Sequence, residues 1–318
     1  MGHQIHILAP SEYLERGETI EIPIVIELDE PMSRVRNITA KFHGAERAEA
    51  DYTVTTTDSD GKSRTETRTA IEYHDIVVSD FMLLGPPSKG FFGGLMDSMA
   101  TLVGGGSSTR LDAGRHEFSV AVTIPHDAPP TLDGQKCRVF YTLTVTIDRA
   151  LAFDPKEEFA FRVVPRPAAF EAQPVVAKYP GPQGHGFWES MFGKQAHLTL
   201  VVDKDTVIPG EELQCMLGLE AGKPIKVKRV EARVVCCEST RAHGHTDAYT
   251  HTGDWIQIYG RDELPGEFSH RFTMPVEFVG PPSTMAHVFD VDWFVEVNFD
   301  VPWAADPKIK APLRVVLP

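Results

Sequence analysis

Two stretches of this chain, Leu111–Asp148 and Leu264–Asp300, carry the same parts in the same order. In the first, Phe118, Val120, Val122 and Ile124 alternate with Ser119, Ala121 and Thr123. Further on, Tyr141, Leu143, Val145 and Ile147 alternate with Phe140, Thr142, Thr144 and Thr146. Side chains of a strand point to its two faces in turn, so a period of two marks a strand buried on one face. Between the two runs, Pro125, Pro129, Pro130 and Gly134 interrupt any ladder, because proline gives no donor and glycine permits turns. The stretch reads strand, long corner, strand. In the second stretch Leu264-Pro265-Gly266 answers Leu111–Gly114, Met274-Pro275 answers Ile124-Pro125, and Pro281-Pro282-Ser283 answers Pro129-Pro130-Thr131. Counted from Pro130 and Pro282, Tyr141, Leu143, Val145, Ile147 and Asp148 fall opposite Trp293, Val295, Val297, Phe299 and Asp300 without a gap. Two copies of one unit imply two related domains.

The copies also open alike. Arg16-Gly17-Glu18 leads into Ile20, Ile22, Ile24, Ile26 and Leu28, and Pro209-Gly210-Glu211 leads into Leu213, Cys215, Leu217 and Leu219. Next come Ile38–Phe42 and Val230–Val234, so the register holds. A length of 318 residues suits two cores rather than one. Short strands, turn signals and almost no helical period read as an all-β protein of two tandem immunoglobulin-like β-sandwich domains, residues 1–165 and 187–318, with 166–186 as a proline-containing linker.

The first copy carries a long insertion before its Leu111 turn. Asp51–Arg68, rich in Thr, Ser and charge, reads as a polar hairpin or mobile loop with its turn at Asp58–Gly61. Farther on, Phe91, Phe92, Leu95, Met96, Met99, Leu102 and Val103 recur at helical spacing, which predicts one short amphipathic helix over Gly90–Val103. Phe187, Trp188, Met191 and Phe192 repeat the opening of that pattern.

These residues resemble the arrestin superfamily, in particular its α-arrestin-like branch. The carrying features are Gly17-Glu18 with its strand, Ile38–Gly44, Leu111-x-Ala113-Gly114-x-His116-x-Phe118, Ile124-Pro125, and Tyr141 to Arg149. Pro209-Gly210-Glu211, Pro275, Pro282-Ser283-Thr284 and the strand to Asp300 carry it in the second copy. The resemblance covers roughly residues 5–318. It implies two arrestin-type sandwiches, related to a retromer subunit and a bacterial sporulation protein, and a non-enzymatic adaptor for protein partners. It also implies that the segment at Gly90–Val103 docks on the first sandwich, and that Arg149 reaches a carboxylate of the second domain. Three family devices are missing: Pro86-Pro87, Pro129-Pro130 and Pro281-Pro282 start no PPxY motif, Gln4–Leu8 holds no paired lysines, and no clathrin-type tail follows. That departure favours a microbial member.

Composition narrows the partners. A net charge of −14 argues against nucleic acid and against a generally basic membrane-binding face. The four cysteines, Cys137, Cys215, Cys236 and Cys237, show no CxxC spacing and read as reduced thiols in the cytoplasm. No cationic apolar leader and no membrane-length apolar run is evident. Phe91, Phe92, Leu95 and Met96, with Phe187, Trp188 and Phe192, are candidate contacts for a protein partner or a peripheral membrane surface. No catalytic signature is present: there is no GxSxG, HExxH, Walker loop or GxGxxG, and no cofactor is expected. One constellation has ligand chemistry. Cys236, Cys237, His243, His245 and His251 gather imidazoles and thiols, the donors zinc prefers. Their spacing matches no established site, so a metal site on Cys237, His243, His245 and His251 and a solvated polar hairpin both stay open.

Overall fold

The alternating runs of the sequence are strands in the computed structural model, which describes residues 2–85, 109–164, 172–179, 197–221, 223–260, 263–302 and 306–317. In chain order they are β1 (His3–Ile7), β2 (Tyr13–Glu15), β3 (Thr19–Leu28), β4 (Met32–Thr57), β5 (Ser63–Leu84) and β6 (Thr109–Leu111). Then come β7 (Gly114–Thr123), β8 (Leu132–Asp133), β9 (Cys137–Arg149), β10 (Lys156–Val164), β11 (Val175–Tyr179) and β12 (His197–Val202). The series continues with β13 (Thr206–Val207), β14 (Glu212–Glu220), β15 (Ile225–Lys226), β16 (Arg229–Ala242), β17 (His245–Thr252) and β18 (Ile256–Tyr259). It closes with β19 (Glu263–Leu264), β20 (Glu267–Pro275), β21 (Thr284–Met285), β22 (Phe289–Asp300) and β23 (Lys308–Val315).

The sheets come in matching pairs. One pair is β1-β3-β7 with β2-β10-β9-β4-β5; the other is β11-β12-β14-β20 with β13-β23-β22-β16-β17. In both long sheets the short first strand is parallel to its neighbour, β2 to β10 and β13 to β23. By packing, the chain forms two compact units. The first is Met1–Glu46, His74–Thr131 and Val139–Arg166; the second is Arg47–Tyr73, Leu132–Arg138 and Pro167–Pro318.

In the first unit, Ile20 to Leu28 of β3 and Val120 and Val122 of β7 bury one sheet face. Val139, Tyr141, Leu143, Val145 and Ile147 of β9, with Phe42 and Phe161, bury the face of the other. The Phe42 ring lies 5.9 Å from Phe161 and 6.4 Å from Tyr141, centroid to centroid. The second unit repeats this with Leu213, Leu217 and Leu219 of β14 and with Phe289, Val291, Trp293, Val295 and Val297 of β22. Each such side chain is worth roughly 1.5–3 kcal/mol over its exposed state. A sheet with one apolar face needs a second layer, and the β-sandwich is that solution.

The copies agree down to single hydrogen bonds. Tyr141 Oη donates to the Pro129 carbonyl at 2.7 Å, and Trp293 Nε1 donates to the Pro281 carbonyl at 2.8 Å. Val163 N donates to Thr131 Oγ1 at 2.8 Å, and Val315 N donates to Ser283 Oγ at 2.9 Å. At the opening turns Gly17 N donates to Ile124 O and Gly210 N to Val276 O, each at 2.9 Å. Both glycines have left-handed backbone, φ 76° and 90°. This pairing revises one correspondence: Val276, rather than Met274, stands where Ile124 stands, so the gapless count extends back across the corner.

One expected element is corrected. No helix occurs among the described residues, and the amphipathic helix expected over Gly90–Val103 falls on residues outside them. Among the described residues the fold is therefore all-β, without a helix. Apolar spacing alone is thin support there, because Gly93 and Gly94 each cost about 1 kcal/mol relative to alanine inside a helix, and so short a helix is marginal by itself.

Candidate functional site

Of the residues singled out from the sequence, Phe91, Phe92, Leu95, Met96, Phe187, Trp188 and Phe192 lie outside the described residues. The Cys/His set lies on the β16–β17 hairpin, whose turn is His243-Gly244, with φ 49° at His243 and 81° at Gly244. Residues opposite each other on antiparallel strands share a face. Cys236 is opposite His251 and Ala242 opposite His245, whereas Cys237 is opposite Thr250, on the other face. The structure therefore separates the four. The thiol of Cys237 lies 3.8 Å from Ser239 Oγ. The backbone N of His243 donates to Glu72 Oε2 at 2.6 Å. His245 stacks on Tyr52 with centroids 3.9 Å apart. His251 Nε2 is hydrogen-bonded to Glu238 Oε1 at 2.5 Å. Among the described residues, no three His, Cys, Asp or Glu side chains are grouped to hold a metal ion. Burial pushes the Cys215 and Cys236 thiols up to about 12 and raises Cys137 further, so these three stay protonated near neutrality. A thiol must ionise to act as nucleophile or ligand.

What the hairpin does build is a site around Glu238, which has no exposed surface. Its Oε1 accepts from Gln135 N at 2.9 Å as well as from His251. Its Oε2 accepts from Lys136 N at 2.8 Å and from Cys137 Sγ at 3.3 Å. A carboxylate offers about four lone-pair sites, and all are taken. Burial pulls the Glu238 carboxyl up, but the His251 hydrogen bond, the two backbone N–H groups and Cys137 outweigh it and hold the group below the ordinary glutamate value. Gly134 completes the cradle: a Cβ there would sit 2.6 Å from a Glu238 carboxylate oxygen.

Beside it, Lys136 Nζ lies between Asp51 Oδ2 at 2.5 Å and Asp247 Oδ2 at 3.1 Å. Asp51 N also donates to Asp247 Oδ2 at 3.1 Å, and Thr240 Oγ1 donates to Glu49 O at 2.6 Å. The network fastens Leu132–Arg138 and the Arg47–Tyr73 hairpin onto β16–β17 within the second unit. Its chemistry is that of a clasp. Every lone pair on Glu238 is used, which leaves no acceptor for a substrate proton or a metal.

A second buried carboxylate lies elsewhere on β22. Glu296, 3% exposed, accepts both Nε and Nη2 of Arg233 on Oε1, at 3.0 and 2.8 Å, and has Lys310 Nζ at 3.3 Å. The Arg233 guanidinium also lies 4.1 Å from the Trp255 ring centroid, a cation–π contact.

Sequence reasoning passed over Glu238, yet a signal is present. The inward alternation Val230, Ala232, Val234, Cys236 continues one step to Glu238. A carboxylate at a core position needs dedicated partners. Lys136 and Asp51 carry no comparable signal, since only the tertiary fold brings them to Asp247.

Comparison with known proteins bears on the other end of the chain. No curated protein matches it. Residues 95–167 match the family model of the arrestin (or S-antigen) N-terminal domain, a span that holds strands β6 to β10 and the first proline corner. Through that span, whose corner and strands recur in the second copy, the chain is similar to the arrestin N-terminal domain.

Proposed function

We propose that this protein is a non-enzymatic scaffold, an arrestin-like adaptor that holds protein partners at a membrane surface. The observation that carries the reading is the arrestin N-terminal-domain match over residues 95–167. Two features support it. The buried ionisable groups around Glu238 are saturated by their own chain, which suits holding a shape rather than turning over a substrate. Strands β5 and β17 stand at the ends of their sheet paths, where an extended segment of a partner can add as a further strand. The reduced cysteines fit a cytoplasmic setting.

The test is affinity capture with the immobilised full chain, followed by hydrogen-exchange mapping of the complex. The expected outcome is a stoichiometric protein partner whose binding slows exchange along β5 or β17. Failure to retain any protein above a denatured control would overturn the adaptor reading. Co-sedimentation with lipid vesicles tests the membrane part separately.

A further inference from the structure

Three non-glycine residues among those described have left-handed backbone, and two of them meet. Arg34, with φ 64°, lies near the start of β4, between Met32 and Val35 where its register shifts, and Leu151, with φ 59°, sits at the tip of the β9–β10 hairpin. Ala150 N donates to Arg34 O at 2.9 Å and joins the two turns. Glycine or asparagine usually takes such positions, because an L side chain crowds its own backbone there. Strained conformations persist where the side chain is needed and cluster at functional sites. Here the retained side chains are an arginine and a leucine.

The tip they frame is apolar and fully presented. Leu151 is 95% exposed and Phe153 86%; among the described large hydrophobic residues only Met285, at 90%, is comparably bare. The tip is held outward rather than loose, since Arg149 N donates to Asp154 Oδ1 at 2.8 Å and Ile147 N to Pro155 O at 2.9 Å. At its shoulder two arginines lack a counter-charge. Neither Arg34 nor Arg149 forms an ion pair among the described residues, and Arg149 Nε is buried with no acceptor.

From this we infer that the Leu151–Phe153 tip is a membrane anchor for anionic bilayers. Leu151 and Phe153 enter the acyl boundary, and the exposed Arg34 meets lipid phosphate oxygens. The layering is what points to lipid: a convex apolar tip with an exposed cation one step behind it matches acyl chains beneath a phosphate layer. The chain's net charge of −14 opposes any broad contact with an anionic surface, so the contact is local, weak and salt-sensitive. The inference rests on the membrane part of the proposed function and names the residues that would perform it.

The experiment is co-sedimentation of the full chain with vesicles of phosphatidylcholine alone and of phosphatidylcholine mixed with phosphatidylserine. Wild type is expected to pellet with the mixed vesicles and not with the neutral ones. The Leu151→Gly/Phe153→Ser variant should lose binding by about tenfold or more, because it removes two inserting side chains. Since glycine relieves the left-handed strain at 151, the variant should melt no lower than wild type, which separates lost anchoring from lost folding. Arg34→Gln should weaken binding to the mixed vesicles while the protein stays folded. A folded double variant that pellets like wild type would overturn the anchor and leave the membrane reading standing. Wild type that pellets with neither vesicle would overturn both. The capture experiment would still decide the adaptor reading.

Discussion

A carboxylate without exposed surface must be held by donors, and Glu238 is held by four. Removing one partner of a buried charged pair leaves the rest uncompensated, at a cost of about 3–5 kcal/mol. Glu238→Ala is expected to lower the stability of the second unit by about that amount in urea denaturation. The same group sets an acid limit. Its carboxyl is depressed in the folded state, with burial opposing and the His251 bond and backbone donors prevailing. A depressed carboxyl stabilises fully above its unfolded value of about 4.3 and loses that contribution as pH falls through the folded value. Wild type should therefore lose stability below about pH 4, more steeply than Glu238→Gln, whose residue 238 does not titrate. The gap between the two should narrow on acidification; a gap that stayed constant down to acid unfolding would place the carboxylate's contribution elsewhere.

At the scale of the element, the proline corners are the sharpest shared feature. Tyr141 and Trp293 are both buried, and each spends its one donor on the carbonyl of the first proline of a pair. Tyr141→Phe keeps the ring and leaves the Pro129 carbonyl without that donor, which should cost about 1–2 kcal/mol. Trp293→Phe loses the donor and ring volume together and should cost more, about 2–4 kcal/mol. Thermal melts of the two variants would check both the size and the order. Much of this was legible in the sequence, because a strand buried on one face writes a period of two and a corner writes prolines and glycine. The Tyr141–Trp293 correspondence and the register of the ladders follow from counting residues. The clasp was not legible as a whole. Glu238 could be read from its inward phase, but Asp51, Lys136 and Asp247 are surface-type residues whose meeting depends on where β4, β9 and β17 run. The helix expected over Gly90–Val103 rests on apolar spacing alone, and its residues lie outside those described. Cys237 shows a further limit: a ligand set chosen by residue type overlooks that neighbours on a strand face opposite ways.

At the scale of the whole molecule, the two copies in sequence and the two units in space are not the same division. Arg47–Tyr73 and Leu132–Arg138 belong to the first copy by sequence order and to the second unit by packing. The fragment Pro167–Pro318 therefore contains Glu238 and His251 but lacks the Gln135 and Lys136 N–H donors and the Cys137 thiol. A domain holds together by only about 5–15 kcal/mol, so a buried carboxylate stripped of three of its four donors puts the fragment near the limit of folding. Glu238→Leu makes the argument decisive, because its effect should change sign with context. In the full chain it strands the Gln135, Lys136 and His251 donors and should destabilise. In the fragment it replaces a poorly partnered buried charge with an apolar side chain and should stabilise, as such replacements often do. Urea midpoints of the two pairs, read by circular dichroism, would show it. Destabilisation in both contexts would mean that Glu238 finds other partners once the Leu132–Arg138 segment is gone. Opposite signs would establish that this segment, from the middle of the first copy, completes the core chemistry of the second unit.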